Sequence, residues 1–270
     1  MDSADIKEFR RILDICKTCS VPFLTTPRLD ELLGNTVKLD KLRDVSIVDL
    51  LGRSQINIDN QQIETIVKDQ VVFITGAGGS IGSEISRQIL NFSPKKVILI
   101  DHSEYHLYSI MMELSNLEYN KDIQIVPLCL DIKTFSSLKK CFNEHHPNVV
   151  FHSAAYKHVP LMEVNAEQAI LNNIGGTKNV IDLCDAFDVN QCITISTDKA
   201  VEPSNSMGAT KRLCELLTLN KSKTSSTKYC CVRFGNVLGS YGSVIPLFKD
   251  QIKKGGPITI TDPDMTRYFM

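Results

Sequence analysis

The sequence has no long apolar run, little net charge and no second closely spaced pair of cysteines. No stretch of the 270 residues approaches the about 18 apolar residues of a transmembrane helix, and the N-terminus lacks a signal peptide's basic-then-apolar order. The formal net charge is −1, and no run of like charges exceeds a few residues. These absences favour a cytoplasmic protein with no nucleic-acid partner and no membrane contact of its own, although a small nucleotide needs only a local site.

The nine cysteines do not follow the spacing of a zinc site. Cys16 and Cys19 form a lone C-x-x-C on a segment with helical apolar spacing, so packing is a better explanation than metal binding. We expect no metal site and a reducing compartment. Most of the other cysteines have apolar neighbours and are expected to be small buried hydrophobic residues; these are Cys129, Cys184, Cys192, Cys214, Cys230 and Cys231.

The sequence is organised differently before and after about residue 58. The first part predicts a helix to about Cys19 and a second short helix that ends at Gly34. This is too little to close an independent core, so residues 1–58 are interpreted as the remnant of a preceding Rossmann-like domain plus a connector. The domain proper is predicted to span 59–270 and to open with a helix from Asn60 to Lys68, capped by Asp59.

From Val71 onwards, short β-branched runs alternate with stretches of helical apolar spacing. Strands alternating with helices imply a parallel sheet covered on both faces. Right-handed crossovers then make a doubly wound, Rossmann-type α/β sheet the expected fold. The predicted strands cover residues 71–75, 97–100, 123–128, 149–152, 192–196 and 229–234.

A glycine-rich turn follows the first predicted strand. Gly76, Gly79 and Gly82 are spaced three apart, with Ser80 and Ile81 at the start of the next helix. The first glycine permits a tight turn, the second a close approach to a pyrophosphate, and the third close packing of helix and sheet. The N-terminus of the helix directs its N–H groups and its positive dipole end at the phosphates. The turn therefore predicts a dinucleotide site.

Asp101 closes the second predicted strand, at the position where a carboxylate accepts the ribose hydroxyls of NAD. A carboxylate there repels the 2′-phosphate of NADP, and no arginine follows it, so NAD is favoured over NADP. Further cofactor contacts are expected after the third and fourth strands, at Asp131, Ile132, Ala154 and Ala155.

The glycine spacing resembles the short-chain dehydrogenase/reductase superfamily, whose members carry a Ser or Thr after the fifth strand and then Tyr-x-x-x-Lys. Lys211 stands at the lysine position, where the resemblance implies a contact with the nicotinamide ribose. Met207 stands where the tyrosine is expected, and a thioether cannot exchange a proton. The usual general base is therefore missing.

Thr197, Asp198 and Lys199 place a hydroxyl, a carboxyl group and an amine together after the fifth predicted strand. Ligands bind at this edge of the sheet in a doubly wound fold. Simple hydride transfer does not need all three groups, whereas elimination of water from a sugar can use them. In such a reaction one group removes the proton from carbon 5 and another protonates the hydroxyl that leaves carbon 6.

The resemblance becomes specific over several strings, which are TGAGGSIGSE, DHSEYHLY, AAYKHVPLMEVN, NNIGGTKNV, ISTDKAVEPSNSMGATKR and RFGNVLGS. They are similar to bacterial nucleotide-sugar 4,6-dehydratases, and above all to the membrane-anchored branch that acts on UDP-N-acetylglucosamine, which also carries Met for Tyr. This resemblance implies that Thr197 relays or accepts the carbon 4 hydroxyl proton and that Asp198 is the acid for the leaving water. It implies that Lys199 is the base at carbon 5, with positioning of the substrate as the alternative.

The same resemblance implies contacts with a UDP-amino sugar and assembly into a homo-oligomer. The implied substrate-binding residues are Lys157, His158, Asn173, Asn236, Ser243 and Arg267.

The resemblance implies that full-length relatives begin with transmembrane helices and a first Rossmann-like domain and continue beyond MTRYFM, the last residues here. It places their catalytic domain at the cytoplasmic face of the inner membrane. The chain is therefore expected to be a fragment with an intact cofactor site and a truncated substrate lobe, which binds NAD but dehydrates its sugar poorly or not at all. Two other functions stay open: a UDP-sugar epimerase of the same superfamily, and a non-catalytic NAD-binding module. Asp198-Lys199 favours elimination, because epimerisation at carbon 4 has no leaving group to protonate.

Overall fold

The computed structural model describes residues 6–19, 59–119, 122–240 and 242–260, together with residues 262, 264, 266 and 269. The chain divides into two compact units, Met1–Ile58 and Asp59–Met270. The interpretation of the first unit as a domain remnant stays a prediction, and the helix expected to end at Gly34 lies outside the described residues.

In the first unit, helix α1 (Ile6–Thr18) agrees with the helix predicted up to about Cys19. Cys16 is half-buried and Cys19 is exposed, and both thiols are free. Within the described ranges, no cluster of three or more His, Cys, Asp or Glu side chains could hold a metal ion. None of the helices in these ranges is both long and apolar enough to cross a membrane.

The second unit alternates strands with helices, and all six predicted strands are confirmed to within one residue at each end. The strands are β1 (Val71–Thr75), β2 (Lys96–Asp101), β3 (Gln124–Cys129), β4 (Val149–His152), β5 (Gln191–Thr197) and β6 (Lys228–Phe234). The first helices are α2 (Asn60–Val67), α3 (Ser80–Ile89), α4 (Glu104–Ser115), α5 (Phe135–His145) and α6 (Val159–Val164). They are followed by α7 (Ala166–Ala169), α8 (Gly176–Ala186), α9 (Ser206–Lys221) and α10 (Val244–Lys253).

Two shorter elements interrupt this alternation near the candidate site. The helical segment before β5 carries a π-helical turn, Ile170–Gly175, between α7 and α8. A short 3₁₀ turn, Asp198–Ala200, follows β5 directly. Helix α2 has the predicted cap, because Asp59 Oδ1 accepts hydrogen bonds from the backbone N–H groups of Gln61 and Gln62, at 3.1 and 3.3 Å.

The six strands form one parallel sheet in the order β3-β2-β1-β4-β5-β6. The chain runs outward from β1 to β3 and then crosses back to β4, so the strand order reverses between β1 and β4. This is the doubly wound arrangement predicted from the sequence, with ligands expected at the carboxyl ends of the strands beside the reversal.

Both faces of the sheet are covered, as a parallel sheet requires. Val72 and Ile74 of β1 pack into a core on one face, whereas Phe73 between them packs into a second core on the other face. All three side chains are fully buried. The alternation fixes the strand's register, and the carboxyl end of β1 therefore opens at a defined place.

The expectation that six of the cysteines are buried is right for three of them and wrong for the three on the edge strands. Cys184, Cys192 and Cys214 are buried, but Cys129 is exposed and Cys230 and Cys231 are only half-buried. The cause is strand position: Cys129 ends β3 and the last two lie on β6, and these are the two edge strands. An edge strand has neighbours on one side only, so apolar neighbours in the sequence do not guarantee burial.

Candidate active site

The turn after β1 has the backbone geometry of a phosphate-binding loop. Gly76 has a φ of +66°, and its carbonyl accepts a hydrogen bond from Gly79 N–H at 3.0 Å. A Cβ atom on Gly82 would lie 2.1 Å from the Gly76 carbonyl oxygen, so only glycine lets α3 start this close to the turn. Ser80 and Ile81 form the first turn of α3. Backbone N–H groups at a helix start together with such a cradle fit a pyrophosphate.

Asp101 is buried at the end of β2 and is bonded to the glycine turn. Its Oδ2 accepts a hydrogen bond from Gly78 N–H at 3.0 Å, and its Oδ1 accepts one from Ser103 N–H at 2.9 Å. The side chain is 5% exposed, and the ring of His102 lies beside it, with Nδ1 3.6 Å from Oδ1. The structure therefore brings Asp101 to the phosphate turn, as expected for a residue that accepts the adenosine ribose.

The other predicted cofactor residues lie on the loops beside this turn. The backbone of Ala154 lies close to the glycine turn, because a Cβ atom on Gly76 would be 2.7 Å from the Cα atom of Ala154. Ala155 follows and is half-buried. Asp131 Oδ1 accepts a hydrogen bond from Lys133 N–H at 2.9 Å. The Ile132 side chain is buried in the core, so it leaves only backbone atoms for a cofactor contact.

Thr197, Asp198 and Lys199 form a hydrogen-bonded chain at the carboxyl end of β5. The Thr197 hydroxyl donates to Asp198 Oδ1 at 2.9 Å, and the Lys199 ammonium donates to the same oxygen at 3.0 Å. Partial burial raises the pKa of Asp198, but hydrogen bonds from Lys199 and Thr197 outweigh it, so the pKa lies below its usual value. The described residues leave Oδ2 of this carboxylate available to a ligand.

Met207 is 3% exposed and packs into a small apolar cluster with Met162 and Ala169. Its thioether thus takes the tyrosine position without joining the polar chain. Lys211, one helical turn later on α9, is 6% exposed, and none of the described residues accepts a hydrogen bond from its ammonium. Burial lowers the pKa of Lys211, although Glu215 and two thiols oppose this.

Asn173 lies on the π-helical turn and has no exposed surface. Its Oδ1 accepts a hydrogen bond from Tyr156 N–H at 2.8 Å, and its Nδ2 donates to the Tyr156 carbonyl and the Thr210 hydroxyl, both at 3.0 Å. These bonds tie the loop after β4 to α9. In this structure the amide positions other residues, and its predicted substrate contact stays a prediction.

The remaining substrate-binding predictions fall near the start of α6 and before α10. Lys157 and His158 are exposed, and a Cβ atom on Gly242 would lie 2.5 Å from Cε1 of His158, so the two loops touch. Ser243 stands at the N-cap position of α10 without a side-chain capping bond, and its buried hydroxyl has no hydrogen-bond partner among the described residues, which suits a diphosphate oxygen. Asn236 forms an isolated bridge with Phe269, and Arg267 lies outside the described residues.

Sequence reasoning missed two buried polar residues that support this site. His152, at the end of β4, links the Thr75 hydroxyl at 2.8 Å to the Thr177 hydroxyl at 2.9 Å. Burial and the charge of Lys211 lower its pKa to about 3, so the ring is neutral. Glu215 accepts hydrogen bonds from Ser196, Arg212 and Arg233. A polar residue closing an otherwise apolar strand is the signal that could have indicated His152.

A third support holds the start of α9. Glu163 of α6 accepts hydrogen bonds from the backbone N–H and the hydroxyl of Ser206, at 2.6 and 3.1 Å. A Cβ atom on Gly208 would lie 2.5 Å from the Lys199 carbonyl oxygen, so α9 begins against the segment Thr197–Lys199. Of these contacts, only the helix cap can be predicted from neighbouring residues in the sequence, because asparagine is a favoured N-cap residue. Asn205 Oδ1 accepts a hydrogen bond from Gly208 N–H at 2.8 Å.

Comparison with known proteins identifies the family. Residues 72–270 match the family described as polysaccharide biosynthesis protein. The chain belongs to this family. Capsular polysaccharide biosynthesis protein CapD of Staphylococcus aureus is 47% identical over 266 residues, which are 98% of this chain and 44% of CapD. The chain thus spans less than half the length of this relative.

Two further similarities place the polysaccharide biosynthesis family within the extended short-chain dehydrogenase/reductase superfamily. A UDP-glucose 4-epimerase of Rickettsia rickettsii is 38% identical over 213 residues, covering 75% of this chain and 59% of that protein. The X-ray structure of Pen from Bacillus thuringiensis superposes with a TM-score of 0.70 at 38% identity, covering 76% of this chain and 64% of Pen. The resemblance inferred from the motifs is confirmed at the level of family and superfamily.

Proposed function

We propose that the domain is a nucleotide-sugar 4,6-dehydratase of polysaccharide biosynthesis, acting on UDP-N-acetylglucosamine in the cytoplasm. The observation that carries this proposal is the set of hydrogen bonds in which Thr197 and Lys199 both donate to Asp198. Met207 takes no part in it and packs into an apolar cluster. Oxidation of a hydroxyl alone needs one proton acceptor, whereas loss of water also needs an acid and a base. The capsular relative supports the polysaccharide context.

The residues present fit NAD as the cofactor. The turn at Gly76–Gly82 would hold the pyrophosphate, Asp101 the adenosine ribose, and the ammonium of Lys211 the nicotinamide ribose. When bound, NAD would take a hydride from carbon 4 of the sugar and give it back to carbon 6. The buried negative charge of Asp101 supports NAD over NADP, because a 2′-phosphate there would be repelled.

The hydrogen-bond chain offers a balanced path for the protons. Thr197 relays the proton of the carbon 4 hydroxyl to Asp198, to which its own hydroxyl already donates. Asp198, now protonated, gives this proton to the hydroxyl that leaves carbon 6 as water. Lys199, after losing its ammonium proton to solvent, removes the carbon 5 proton as the neutral amine and later returns it to carbon 5. The sugar loses one water, and Asp198 and Lys199 end as they began.

Lys199 has an alternative role, because in the structure it donates to Asp198 and must give up a proton before it acts as a base. Substitutions separate the two roles. Lys199→Arg keeps a cation that stays protonated in proteins, so it supports positioning but not proton removal. If Lys199 is the base, Lys199→Arg and Lys199→Met lose activity equally; activity retained by the arginine variant would assign it to positioning.

Product mass tests the proposed function against its alternatives. The protein is mixed in excess with UDP-N-acetylglucosamine in the presence of NAD. Mass spectrometry then follows the mass of the sugar nucleotide through a single turnover, so that even a slow reaction is detected. Loss of one water is the expected result. An isomer of unchanged mass would instead support the epimerase, as the Rickettsia relative suggests. NAD binding without any change in the sugar would support a non-catalytic module.

A further inference from the structure

The ring of Tyr156, in the loop after β4, contacts one residue from the loop after β2 and one from the loop after β3. The ring of Tyr156, after β4, meets the His102 ring edge-on, with centroids 6.3 Å apart and planes at 79°. The ammonium of Lys133, after β3, lies 5.8 Å from the centroid of the same ring. Asn173 holds the backbone N–H and carbonyl of Tyr156, so the main chain beneath the ring is fixed.

The position of this ring corresponds to one end of the dinucleotide site. His102 directly follows Asp101, the acid expected at the adenosine ribose, and Lys133 lies two residues beyond Asp131. With the pyrophosphate at the glycine turn and the ribose at β2, the base continues towards the end of β3. Through His102 and Lys133, Tyr156 therefore lies beside the expected path of the adenosine half, and its ring also packs against the apolar cluster of Met207.

The chemistry of the cluster suits a flat base. Tyr156 is partly buried, and in the described part of the chain its hydroxyl makes no hydrogen bond, so its contacts are made by the ring. Lys133 is paired with Asp131, with Nζ 3.3 Å from Oδ2, which offsets its charge beside the ring. An aromatic face of this kind binds a base by stacking.

We propose that Tyr156 is a cofactor-binding residue that contacts the adenine ring and closes the adenosine half of the site. This rests on the proposed NAD-dependent function. The contact comes from the ring face, so a phenylalanine satisfies it. An aliphatic side chain of similar size fills the space but offers no aromatic face.

Calorimetric titration of the chain with NAD and with ADP-ribose, which shares the adenosine half, tests the proposal. Tyr156→Ala and Tyr156→Leu should each weaken both ligands about tenfold, the loss of one stacked base. Tyr156→Phe should stay within about twofold of wild type. The matched control is Tyr105→Ala, which removes a ring that is 72% exposed on α4 and should change nothing.

The leucine variant separates ring contact from packing, since it preserves the apolar volume beside Met162. Thermal unfolding without ligand identifies any variant that fails to fold. Unchanged or tighter NAD binding by folded Tyr156→Leu would overturn this inference and leave the dehydratase proposal in place. Absence of NAD binding by the wild-type chain would overturn both.

Discussion

Two residues of the candidate site, Asn173 and Met207, have buried side chains. Asn173 and Met207 occupy positions that the family motifs indicate, yet the amide is fully engaged within the protein and the thioether lies in an apolar cluster. A motif places residues on the same element without stating which side chain turns inward. The elements that carry these residues could therefore be predicted from the sequence, but the contacts of the two side chains could not.

Burial of Lys211 makes its positive charge costly, because burial lowers the pKa of the ammonium below its ordinary value. Lys211→Met keeps the length of the side chain and removes the charge. We expect its free energy of unfolding to rise by about 1 kcal/mol or more. We also expect NAD binding to weaken by at least about tenfold, the loss of one charged hydrogen bond. Denaturant unfolding and NAD titration measure the two effects.

Lys228→Met is the matched control, because Lys228 is exposed at the start of β6. It should leave both quantities nearly unchanged. If Lys211→Met lowered stability and left NAD affinity intact, Lys211 would be a packing residue with no role at the ribose.

At the scale of elements, alternating apolar runs were enough to predict every strand of the sheet. The π-helical turn at Ile170–Gly175 and the exposure of Cys129 could not be predicted. In this turn the backbone hydrogen bonds change from the α-helical to the π-helical pattern within a continuous helix. The spacing of apolar residues in the sequence does not indicate such a change. Exposure of a strand depends on its place in the sheet, which is set by neighbours far away in sequence.

The contact between α3 and the phosphate turn makes a prediction about glycine. A Cβ atom in Gly82→Ala would lie 2.1 Å from the Gly76 carbonyl oxygen, so the turn must shift. We expect a loss of about 2 kcal/mol in unfolding free energy and loss of NAD binding. Gly175→Ala is the matched control, with no atom nearer than 3.9 Å, and should stabilise the helix by about 0.5–1 kcal/mol. Equal behaviour of the two variants would contradict close packing at Gly82.

The bonds of Glu215 join α9 to β5 and β6 and make stability depend on pH. Hydrogen bonds from Arg233 outweigh burial and, with Ser196 and Arg212, lower its pKa to about 2. The unfolded value is about 4.3, so this stabilisation is complete above about pH 5 and is lost as pH falls towards 2. Glu215→Gln should cost about 2–3 kcal/mol at pH 7.

Denaturant unfolding from pH 7 to pH 3 measures this effect. The difference in stability between wild type and Glu215→Gln should shrink as the pH falls. Glu64→Gln removes an exposed ion pair with Lys68 and should cost less than about 0.5 kcal/mol. A difference between wild type and Glu215→Gln that stayed constant across this range would contradict the ionised state of Glu215.

At the scale of the whole molecule, the predicted homo-oligomer can be tested through α9. Leu213, Leu216 and Leu219 are 48%, 47% and 46% exposed along this helix. Light scattering should give the mass of an oligomer for the wild type and of a monomer for the double variant Leu216→Glu/Leu219→Glu. Tyr108→Glu is the control, because Tyr108 is 61% exposed on α4, and it should keep the wild-type mass. A monomeric wild type would contradict the prediction.

The central claim is that Thr197, Asp198 and Lys199 promote the loss of water from the sugar, and that the hydride taken from carbon 4 returns to carbon 6 of the same sugar. UDP-N-acetylglucosamine labelled with deuterium at carbon 4 tests this directly in a single turnover analysed by NMR. The account predicts a 4-keto-6-deoxy product with the deuterium on carbon 6. Recovery of the deuterium on carbon 4 of an epimerised sugar, or its release to solvent, would contradict it.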